Sequence, residues 1–406
     1  MTIWFIHHYA VPPTSPGGTR HFTTARWLVR QGHRVRIVAS SYHYQSQRET
    51  RDYGGGLAQR EVIDGVEFLW IRTRPYRGNS VGRLLNLLSF GWRALRMAGH
   101  EGGGRPDVVL GSSPQPFAAL AADILAGRHG ARFVYEVRDI WPQTLVELGR
   151  TSRWNPVILA FGWIERRCAR RADAVVTLLP GSQPHLVQCG ARADRITWVP
   201  NGVDLAQAGP VRPARRHDGC HFLYAGAMGV ANGLAQVVEA AALLRERAPR
   251  IRVELMGEGP ELPRLRALAE ARGATNVTFR APVPKAEVHD ALAGADAFLM
   301  ILADSPVFQW GVSPNKLFDY LAAGRPVVFA VNTPVNAVEE AEAGVRADPR
   351  SPEDLARAMM AIEALGPEGR AAMGERGRRY VEAHHDVERL AERFGAALVG
   401  TPPAHL

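Results

Sequence analysis

The chain has 406 residues, of which 46% are hydrophobic, and it carries a formal net charge of +9. This length exceeds one ordinary domain and predicts two domains of about 200 residues, while the absence of any run of about 18 apolar residues argues against a membrane-spanning helix. The basic balance suits anionic partners, but no helix-turn-helix, zinc-finger or RNA-binding aromatic signature accompanies it, which disfavours nucleic acid.

The start of the chain and its cysteines indicate where the protein works. Met1 to Val11 is apolar, lacks a basic leader and precedes Pro12-Pro13, which predicts a first strand and not a signal peptide. Cys168, Cys189 and Cys220 are odd in number and lack metal-ligand spacing, so they predict reduced thiols and no zinc or iron–sulfur site. We therefore expect a cytoplasmic protein without a metal centre.

Short β-branched runs alternate with helical patterns through the first half of the chain. A glycine pair, Gly17-Gly18, opens a helix predicted over Thr19 to Gln31. Strands separated by helices of roughly 10 to 20 residues predict an α/β domain with a parallel, doubly wound sheet. The predicted strands are Ile3–His7, Val35–Ser40, Val66–Arg72, Asp107–Ser112, Arg132–Glu136, Ala174–Leu178 and Ile196–Pro200.

A segment rich in Pro, Ala and Arg, residues 205–219, interrupts this rhythm and predicts a linker between a first domain (1–204) and a second (220–378). A long amphipathic pattern ends the chain, and we expect residues 379–406 to cross back toward the first domain. Two Rossmann-like domains with a ligand between their strand ends fit this organisation. The second domain's predicted strands are His221–Ala225, Arg252–Met256, Val277–Arg280, Ala297–Ile301 and Pro326–Ala330.

The most informative segment runs from Ser313 to Val328, where a loop leads into a short helix and a Gly-x-Pro turn feeds a β-branched strand. The helix start offers backbone N–H groups and the positive end of the helix dipole to an anion. Lys316 can neutralise a phosphate, and Asp319, about one turn further, can accept the hydroxyls of a ribose. The residues expected to bind a nucleotide diphosphate here are Ser313, Asn315, Lys316, Leu317, Phe318 and Asp319.

This segment resembles the donor-sugar motif of retaining glycosyltransferases of family 4, and the resemblance extends over nearly the whole chain. It implies the two-domain GT-B fold, a UDP-linked sugar donor, transfer with retained anomeric configuration, and no metal or other cofactor. The sequence from Glu136 to Pro142 is similar to that of bacterial O-antigen and capsule N-acetylfucosamine transferases. That branch implies an N-acetylated or deoxyamino hexose and a glycan or polyprenyl-diphosphate-linked glycan acceptor.

The chain departs from the family pattern at several positions. Arg138 stands where most members have histidine. Ala227 and Asn232 replace an Arg and a Lys that hold the diphosphate in the wider family, and Asn232 is still expected to be among the donor-binding residues. Of the family's two glutamates, the first is replaced by Gly311 and the second is matched by Asp319.

Other loops complete the predicted donor site. By the resemblance, Gly17 and Gly18 face the donor phosphates, whereas Gly257, Glu258 and Pro284 border the nucleobase. We expect phosphate to bind N–H groups in the loop after the first strand of the second domain, namely those of Gly226, Gly229 and Gly233.

Catalytic roles are implied for four residues. Lys316 and the loop N–H groups would stabilise the leaving diphosphate by preorganised electrostatics. Gly18, Arg138 and Asp139 would meet the donor sugar or the acceptor. For Arg138 and Asp139 the alternative is an ion pair that caps the sheet. No protein nucleophile is evident.

Residues 74–96 suggest contact with an anionic membrane. They are basic, with Leu, Phe and Trp at helical spacing, and such a helix can lie in the headgroup region. Packing of the same helix on its own sheet is an equal alternative. A lipid-linked acceptor would place the protein at the cytoplasmic face of the inner membrane.

These patterns predict a glycosyltransferase, with two alternatives left open. One is an enzyme similar to UDP-N-acetylglucosamine 2-epimerase, which shares the fold and the donor but needs acid/base carboxylates and histidines. The other is a non-catalytic partner subunit, which the missing charges at Ala227, Asn232 and Gly311 keep open.

Overall fold

The structure is a computed structural model of the chain. It describes residues 1–14, 18–43, 47–78, 81–100, 102–148, 151–213 and 219–400. The chain divides into two compact units, one formed by Met1–Pro200 together with the chain from Glu388 onward, and one formed by Asn201–Val387.

The first unit is built on one large sheet. Its strands are β1 (Thr2–Ile6), β2 (Arg34–Ser40), β3 (Tyr42–His43), β4 (Arg48–Glu49), β5 (Ala58–Ile63), β6 (Val66–Ile71), β7 (Val108–Ser112), β8 (Arg132–Val137), β9 (Ala174–Thr177) and β10 (Ile196–Trp198). The sheet has the order β10-β9-β8-β7-β1-β2-β6-β5 and is parallel except for β5, while β3 and β4 form a short hairpin. The strand order reverses at β1, between β7 and β2, and such a reversal is where doubly wound sheets bind ligands.

Helices cover both faces of this sheet. They are α1 (Arg20–Arg30), α2 (Val81–Met97), α3 (Pro116–His129), α4 (Gln143–Glu147), α5 (Pro156–Arg171) and α6 (Gln183–Gln188), with a 3₁₀ turn at Ala193–Arg195. Right-handed crossovers place α2, α3 and α5 on one face and α1 on the other. Helix α3 packs against both α2 and α5, so these three helices form one layer.

The second unit contains a smaller, fully parallel sheet. Its strands are β11 (Cys220–Ala225), β12 (Ile251–Met256), β13 (Val277–Arg280), β14 (Ala297–Ile301), β15 (Val327–Ala330) and β16 (Gly344–Arg346). Their order is β13-β12-β11-β14-β15-β16, so the order reverses between β11 and β14.

The remaining helices surround this second sheet and end the chain. They are α7 (Leu205–Ala208), α8 (Leu234–Arg247), α9 (Leu262–Ala271), α10 (Val288–Leu292), α11 (Asn315–Ala322), α12 (Ala337–Glu340), α13 (Pro352–Ala364), α14 (Gly366–His384) and α15 (Val387–Val399), with 3₁₀ turns at Val230–Asn232, Lys285–Glu287 and Pro306–Trp310. In α15, Leu390, Phe394 and Leu398 are buried in the apolar core of the first unit. In the described part of the chain no helix combines the length and the apolar character that crossing a bilayer requires.

These two sheets confirm the predicted α/β class with parallel, doubly wound sheets. Three features were not predicted: the antiparallel edge strand β5, the hairpin of β3 and β4, and the short edge strand β16. Each is an edge or a two-residue element, where alternation of apolar side chains is weak because one side faces solvent. In β5, for example, no side chain is fully buried.

Candidate functional site

Helix α11 begins directly after a loop that is anchored to the start of the second unit. The Ser313 hydroxyl accepts a hydrogen bond from the Asn201 N–H (2.8 Å), and the Ser313 carbonyl accepts one from the Asn201 side chain (2.7 Å). Because this loop follows β14, α11 starts at the carboxyl edge of the sheet, beside the reversal between β11 and β14. Ligands bind at this position in open α/β sheets.

Lys316, in the first turn of α11, reaches back to the loop after β11. Its Nζ donates hydrogen bonds to the Tyr224 hydroxyl (2.7 Å) and to Asn232 Oδ1 (3.1 Å), and it lies 4.2 Å from the centre of the Tyr224 ring. Burial lowers the pKa of Lys316 to about 7. No carboxylate pairs with this ammonium group within the described ranges, so its protonated form is open to an anion.

Gly226 leaves the space that this ammonium group occupies. A Cβ atom on Gly226 would lie 3.0 Å from Lys316 Nζ and 3.3 Å from the Tyr224 hydroxyl. The same hydroxyl donates to the Ala227 carbonyl (2.6 Å), which fixes the ring. The loop after β11 is therefore shaped to receive a side chain from α11.

Asp319 lies one turn after Lys316, and burial raises the pKa of its carboxyl to about 7 against the opposing effect of Lys285. Burial lowers the pKa of Lys285, while Asp319 and Asp204 act to raise it. Lys285 and Lys316 are the only lysines in the sequence. All other side chains of the lysine–arginine class are arginines. Lysine at these two positions is therefore informative, because a buried lysine can lose its proton near neutral pH and an arginine cannot.

Two of the three glycine N–H groups predicted to bind phosphate are used within the protein. The Gly226 N–H donates to the Met256 carbonyl (3.0 Å), and the Gly233 N–H donates to the Val230 carbonyl (3.3 Å). In this conformation these two N–H groups already have acceptors within the protein, and their predicted role in phosphate binding stays a prediction. Gly226 instead leaves room for the Lys316 ammonium group, because it has no side chain.

At the start of α11, one backbone N–H group has a backbone acceptor among the described residues and two do not. The Leu317 N–H donates to the Pro314 carbonyl at 3.1 Å, whereas the N–H groups of Asn315 and Lys316 have no backbone acceptor within the described ranges. Asn315 is exposed. An anion at this helix start would thus meet the N–H groups of Asn315 and Lys316.

The side chains of Leu317 and Phe318 point into the core, with 2% of each residue exposed. The Phe318 ring stacks on His385 at 4.2 Å between ring centres. Their side chains therefore hold α11 in place, and their part in donor binding stays a prediction.

The residues predicted to border the nucleobase lie in two loops of the second unit. Gly257 packs on the backbone of Gly226, since a Cβ atom on Gly257 would lie 1.9 Å from the Gly226 carbonyl oxygen. The Glu258 carbonyl accepts from the Met228 N–H (2.8 Å), and its side chain is exposed. Pro284 is exposed directly before the 3₁₀ turn that carries Lys285.

In the first unit, Glu136 near the end of β8 is the centre of a buried polar cluster. Its carboxylate accepts from Arg20 Nε (2.9 Å) and from the Ser112 hydroxyl (2.6 Å), and it lies 2.5 Å from His21 Nε2. Although burial alone would raise the pKa of Glu136, His21 and Arg20 hold it well below its usual value. This carboxylate is ionised and its hydrogen-bonding capacity is largely used.

Arg138 lies beside this cluster. Its Nη1 donates to His7 Nε2 (3.1 Å), and its backbone N–H donates to the Ser113 hydroxyl (3.0 Å). Burial, with His21 and Arg138 adding to it, lowers the pKa of His7 well below its usual value, so His7 is a neutral acceptor. Asp139 is exposed, and within the described ranges no salt bridge joins it to Arg138.

The glycine pair at the start of the first unit is only partly visible. Gly18 is half-buried and lies two residues before α1, as predicted from its place at a helix start. Gly17 lies outside the described residues.

Among the described residues, one group could offer three ligands to a metal ion: Glu165, His185 and Cys189. His185 Nε2 lies 2.9 Å from Glu165 Oε1 and 3.5 Å from Cys189 Sγ. Burial raises the pKa of the Cys189 thiol to about 12, with Glu165 adding to it. These contacts are accounted for by hydrogen bonding among the three side chains.

The sequence did not predict the hydrogen bond of Tyr224 to Lys316, the electrostatic interaction of the Lys285 side chain with Asp319, or the hydrogen bonds around Glu136. Tyr224 holds Lys316, and Tyr320 fixes the end of β11 through its hydroxyl, which donates to the Ala225 carbonyl (3.0 Å) and accepts from the Ala225 N–H (2.8 Å). The scarcity of lysine would have identified Lys285. A tyrosine at a strand end carries no comparable signal, because it also fits an ordinary core.

Two family models match the chain. The model described as Glycosyl transferase 4-like domain matches residues 17–202, and the model described as Glycosyl transferases group 1 matches residues 219–364. A protein named as a colanic acid biosynthesis glycosyl transferase, WcaI of Escherichia coli, is 26% identical over 387 residues, which cover 91% of this chain and 92% of that protein.

Solved structures share the fold along the whole chain. Sucrose-phosphate synthase from Thermosynechococcus elongatus superposes with a TM-score of 0.75 at 17% identity, covering 97% of each chain. HepE from Anabaena, solved in complex with UDP and glucose, has a TM-score of 0.67 at 16% identity, covering 98% of this chain and 99% of HepE.

Proposed function

This chain belongs to the glycosyltransferases and has the two-domain GT-B fold, and from that premise we propose that it transfers a sugar from a UDP-sugar to a hydroxyl of a glycan or polyprenyl-diphosphate-linked glycan. The name of WcaI supports a role in surface polysaccharide biosynthesis. The resemblance of Glu136 to Pro142 to N-acetylfucosamine transferases supports an N-acetylated or deoxyamino hexose as the sugar.

The placement of Lys316 and Asp319 on one helix carries this proposal. Both lie at the carboxyl edge of the second sheet, with the ammonium group held by neutral partners. A cation beside the N–H groups of a helix start suits a diphosphate, and a carboxylate one turn away suits the two hydroxyls of a ribose. UDP combines these two features, and HepE, which shares the fold, was solved with UDP.

In the proposed reaction, the bond between the anomeric carbon and the diphosphate oxygen breaks, and the acceptor oxygen bonds to the same face of the sugar. The leaving phosphate takes the acceptor's proton, so configuration is retained without a protein nucleophile. Lys316 and the N–H groups of Asn315 and Lys316 stabilise the leaving diphosphate. Lys316 supplies this charge without a metal ion.

Arg138 and Asp139, at the strand ends of the first sheet, orient the sugar or the acceptor in this proposal. Arg138 is held by His7 and Ser113 and so presents its guanidinium from a fixed position. Glu136 plays a different part, because three donors occupy its carboxylate. The acid/base chemistry of an epimerase would need a carboxylate less completely paired than this one.

Calorimetric titration of the purified protein with UDP, GDP and dTDP tests the donor site. We expect UDP to bind most tightly and Asp319→Ala to lose that binding. The next assay incubates UDP-sugars with lipid-linked glycans and follows the products by mass spectrometry. Interconversion of UDP-sugars without acceptor would support the epimerase, and absence of any nucleotide binding by the folded protein would support the partner subunit.

With a lipid-linked acceptor, the protein would work at the cytoplasmic face of the inner membrane. Residues 74–96 are the segment whose sequence suggests this contact. Most of their described part forms α2, whose basic side chains include Arg93 and Arg96.

A further inference from the structure

Helix α5 of the first unit and the residue just before it expose large apolar side chains. Trp154, just before the helix, is 70% exposed, and Leu159 and Trp163 on its outer face are 50% and 53% exposed. The inner face of the same helix is buried, including Phe161 and Ile164. The exposed residues are thus a second apolar surface, separate from the one that packs on the sheet.

Arginines lie beside both tryptophans, and no exposed acid accompanies them on the helix, although Arg167 and Arg171 pair with the buried Asp123 of α3. The only acidic residue of α5 is Glu165, which is 6% exposed. The guanidinium of Arg153 lies 5.0 Å from the Trp154 ring centre, and that of Arg167 lies 5.7 Å from that of Trp163. The arginines in and next to α5 are Arg153, Arg166, Arg167, Arg170 and Arg171.

Helix α2 has an outer face of the same character. Leu88 and Trp92 are 40% and 53% exposed, and the Arg96 guanidinium lies 4.0 Å from the Trp92 ring centre. The sequence of α2 contains no acidic residue. By contrast, Leu87 and Phe90 are buried. One face of α2 therefore packs on the protein, and a narrow stripe that includes Leu88 and Trp92 remains exposed.

The two helices lie in one layer of the first unit. Phe117 at the start of α3 touches both, since a Cβ atom on Gly91 of α2 would lie 2.9 Å from the Phe117 Cβ, and the Phe117 and Phe161 rings lie 5.7 Å apart. We call the exposed side chains Leu88, Trp92, Trp154, Leu159 and Trp163, with their neighbouring arginines, the α2–α5 surface.

We propose that the α2–α5 surface binds a bilayer that contains anionic phospholipids. Tryptophan and arginine both combine an apolar body with a polar end, which suits the boundary between acyl chains and headgroups. The lack of exposed carboxylates on both helices complements anionic headgroups, and each arginine that does not pair with Asp123 adds to the attraction. The inference extends the membrane contact in the proposed function, and rests on it for the place of the acceptor.

Flotation with lipid vesicles tests this surface. The protein should float with vesicles of equimolar phosphatidylcholine and phosphatidylglycerol, remain unbound with phosphatidylcholine alone, and dissociate as salt is added. Trp154→Ser with Trp163→Ser should lower the partition coefficient roughly tenfold. Arg166→Gln with Arg170→Gln should lower it about fivefold per arginine.

Matched controls come from the second unit. Leu365→Ser removes an apolar side chain that is 42% exposed, and Arg264→Gln with Arg357→Gln removes two exposed arginines; none of these should change flotation. UDP titration of every variant checks, independently of flotation, that the variant is folded and that its donor site is intact. Equal flotation of the tryptophan variant and the wild type, or no flotation of the wild type, would overturn the proposal, as would self-association through this surface without vesicle binding.

Discussion

The ammonium group of Lys316 donates a hydrogen bond to the side-chain oxygen of Asn232, at 3.1 Å. In the wider family that the sequence resembles, the position of Asn232 holds a lysine that contacts the diphosphate. Here Asn232, in the 3₁₀ turn after β11, accepts a hydrogen bond, and the cation that donates it comes from α11. A cation therefore lies beside the loop position that lacks one, which is compatible with the proposed donor site.

Removing this cation should weaken UDP binding. Lys316→Met should lower the affinity for UDP by about 10- to 100-fold, because hydrogen bonds to charged groups contribute about 1.5–3 kcal/mol. Calorimetry measures the change. Lys316→Arg should lose less affinity than Lys316→Met, since it keeps the charge but not the compact geometry.

The position of the charge can be tested by moving it. If Asn232 and Lys316 share one site, Lys316→Met combined with Asn232→Lys should regain part of the affinity that Lys316→Met alone loses. A double variant that binds no better than the single one would show that the two positions serve different groups.

The affinity for UDP should be greatest near neutral pH. Binding needs Lys316 charged, and its pKa of about 7 means that this form is lost above neutrality. It also needs Asp319 ionised, and its pKa of about 7 means that this form is lost below neutrality. Affinity should therefore fall on both sides, and titrations between pH 5 and pH 9 measure it. Lys316→Arg should remove the alkaline decline and leave the acid one.

Lys316 should react unusually well with amine-specific reagents. With only two lysines in the sequence, peptide mass spectrometry can follow each one separately. A pKa near 7 leaves a large fraction of Lys316 unprotonated at neutral pH, so its labelling at low reagent concentration should exceed that of Lys285. UDP should slow labelling of Lys316, and an equal rate with and without UDP would contradict its contact with the diphosphate.

Much of the fold follows from the sequence, because parallel strands buried on both faces appear as continuous β-branched runs. The run from Val35 to Ser40 predicts β2 to within one residue. The motif helix was also predicted, since its loop and Gly-x-Pro turn are local signals. The contact of Lys316 with Tyr224 was not, because these residues lie 92 positions apart and only folding brings them together.

The cluster around Glu136 was not predicted from the sequence, again because its members lie far apart along the chain. Its partners Arg20, His21 and Ser112 come from three separate segments, and each residue type alone is common. For the predicted N–H groups of the donor loop, a sequence does not show which backbone groups the protein itself already uses, as the Gly226 N–H is used by the Met256 carbonyl.

Arg138 should affect the transfer rate and not the affinity for UDP. It lies in the first unit, whereas Lys316 and Asp319 lie in the second. Arg138→Gln should lower kcat on the order of 100-fold, the effect of removing one preorganised donor, with unchanged calorimetric binding of UDP. Arg105→Gln is the matched control, because Arg105 donates to the His129 carbonyl near the amino end of β7. Equal loss in both variants would show a structural effect.

His8 should make the protein less stable in mild acid. Burial, with Arg83 adding to it, lowers the pKa of His8 to about 3 in the folded state, below the value of about 6.5 expected for the unfolded chain. Between these values the unfolded chain binds a proton that the folded chain does not, so the free energy of unfolding falls as pH falls below about 6.5. His8 stacks on Phe90 at 4.3 Å between ring centres, and His8→Phe keeps an aromatic ring there.

At pH 5 the penalty from His8 should be about 2 kcal/mol, which His8→Phe removes. Urea unfolding at pH 7.5 and pH 5 measures it: the variant should lose less stability than the wild type on acidification, whatever its stability at pH 7.5. The comparison of pH values separates the proton effect from the cost of repacking a larger ring. His384→Phe, at an exposed position, should leave the acid loss unchanged. An equal acid loss in the wild type and His8→Phe would mean that His8 gains its proton in the folded protein.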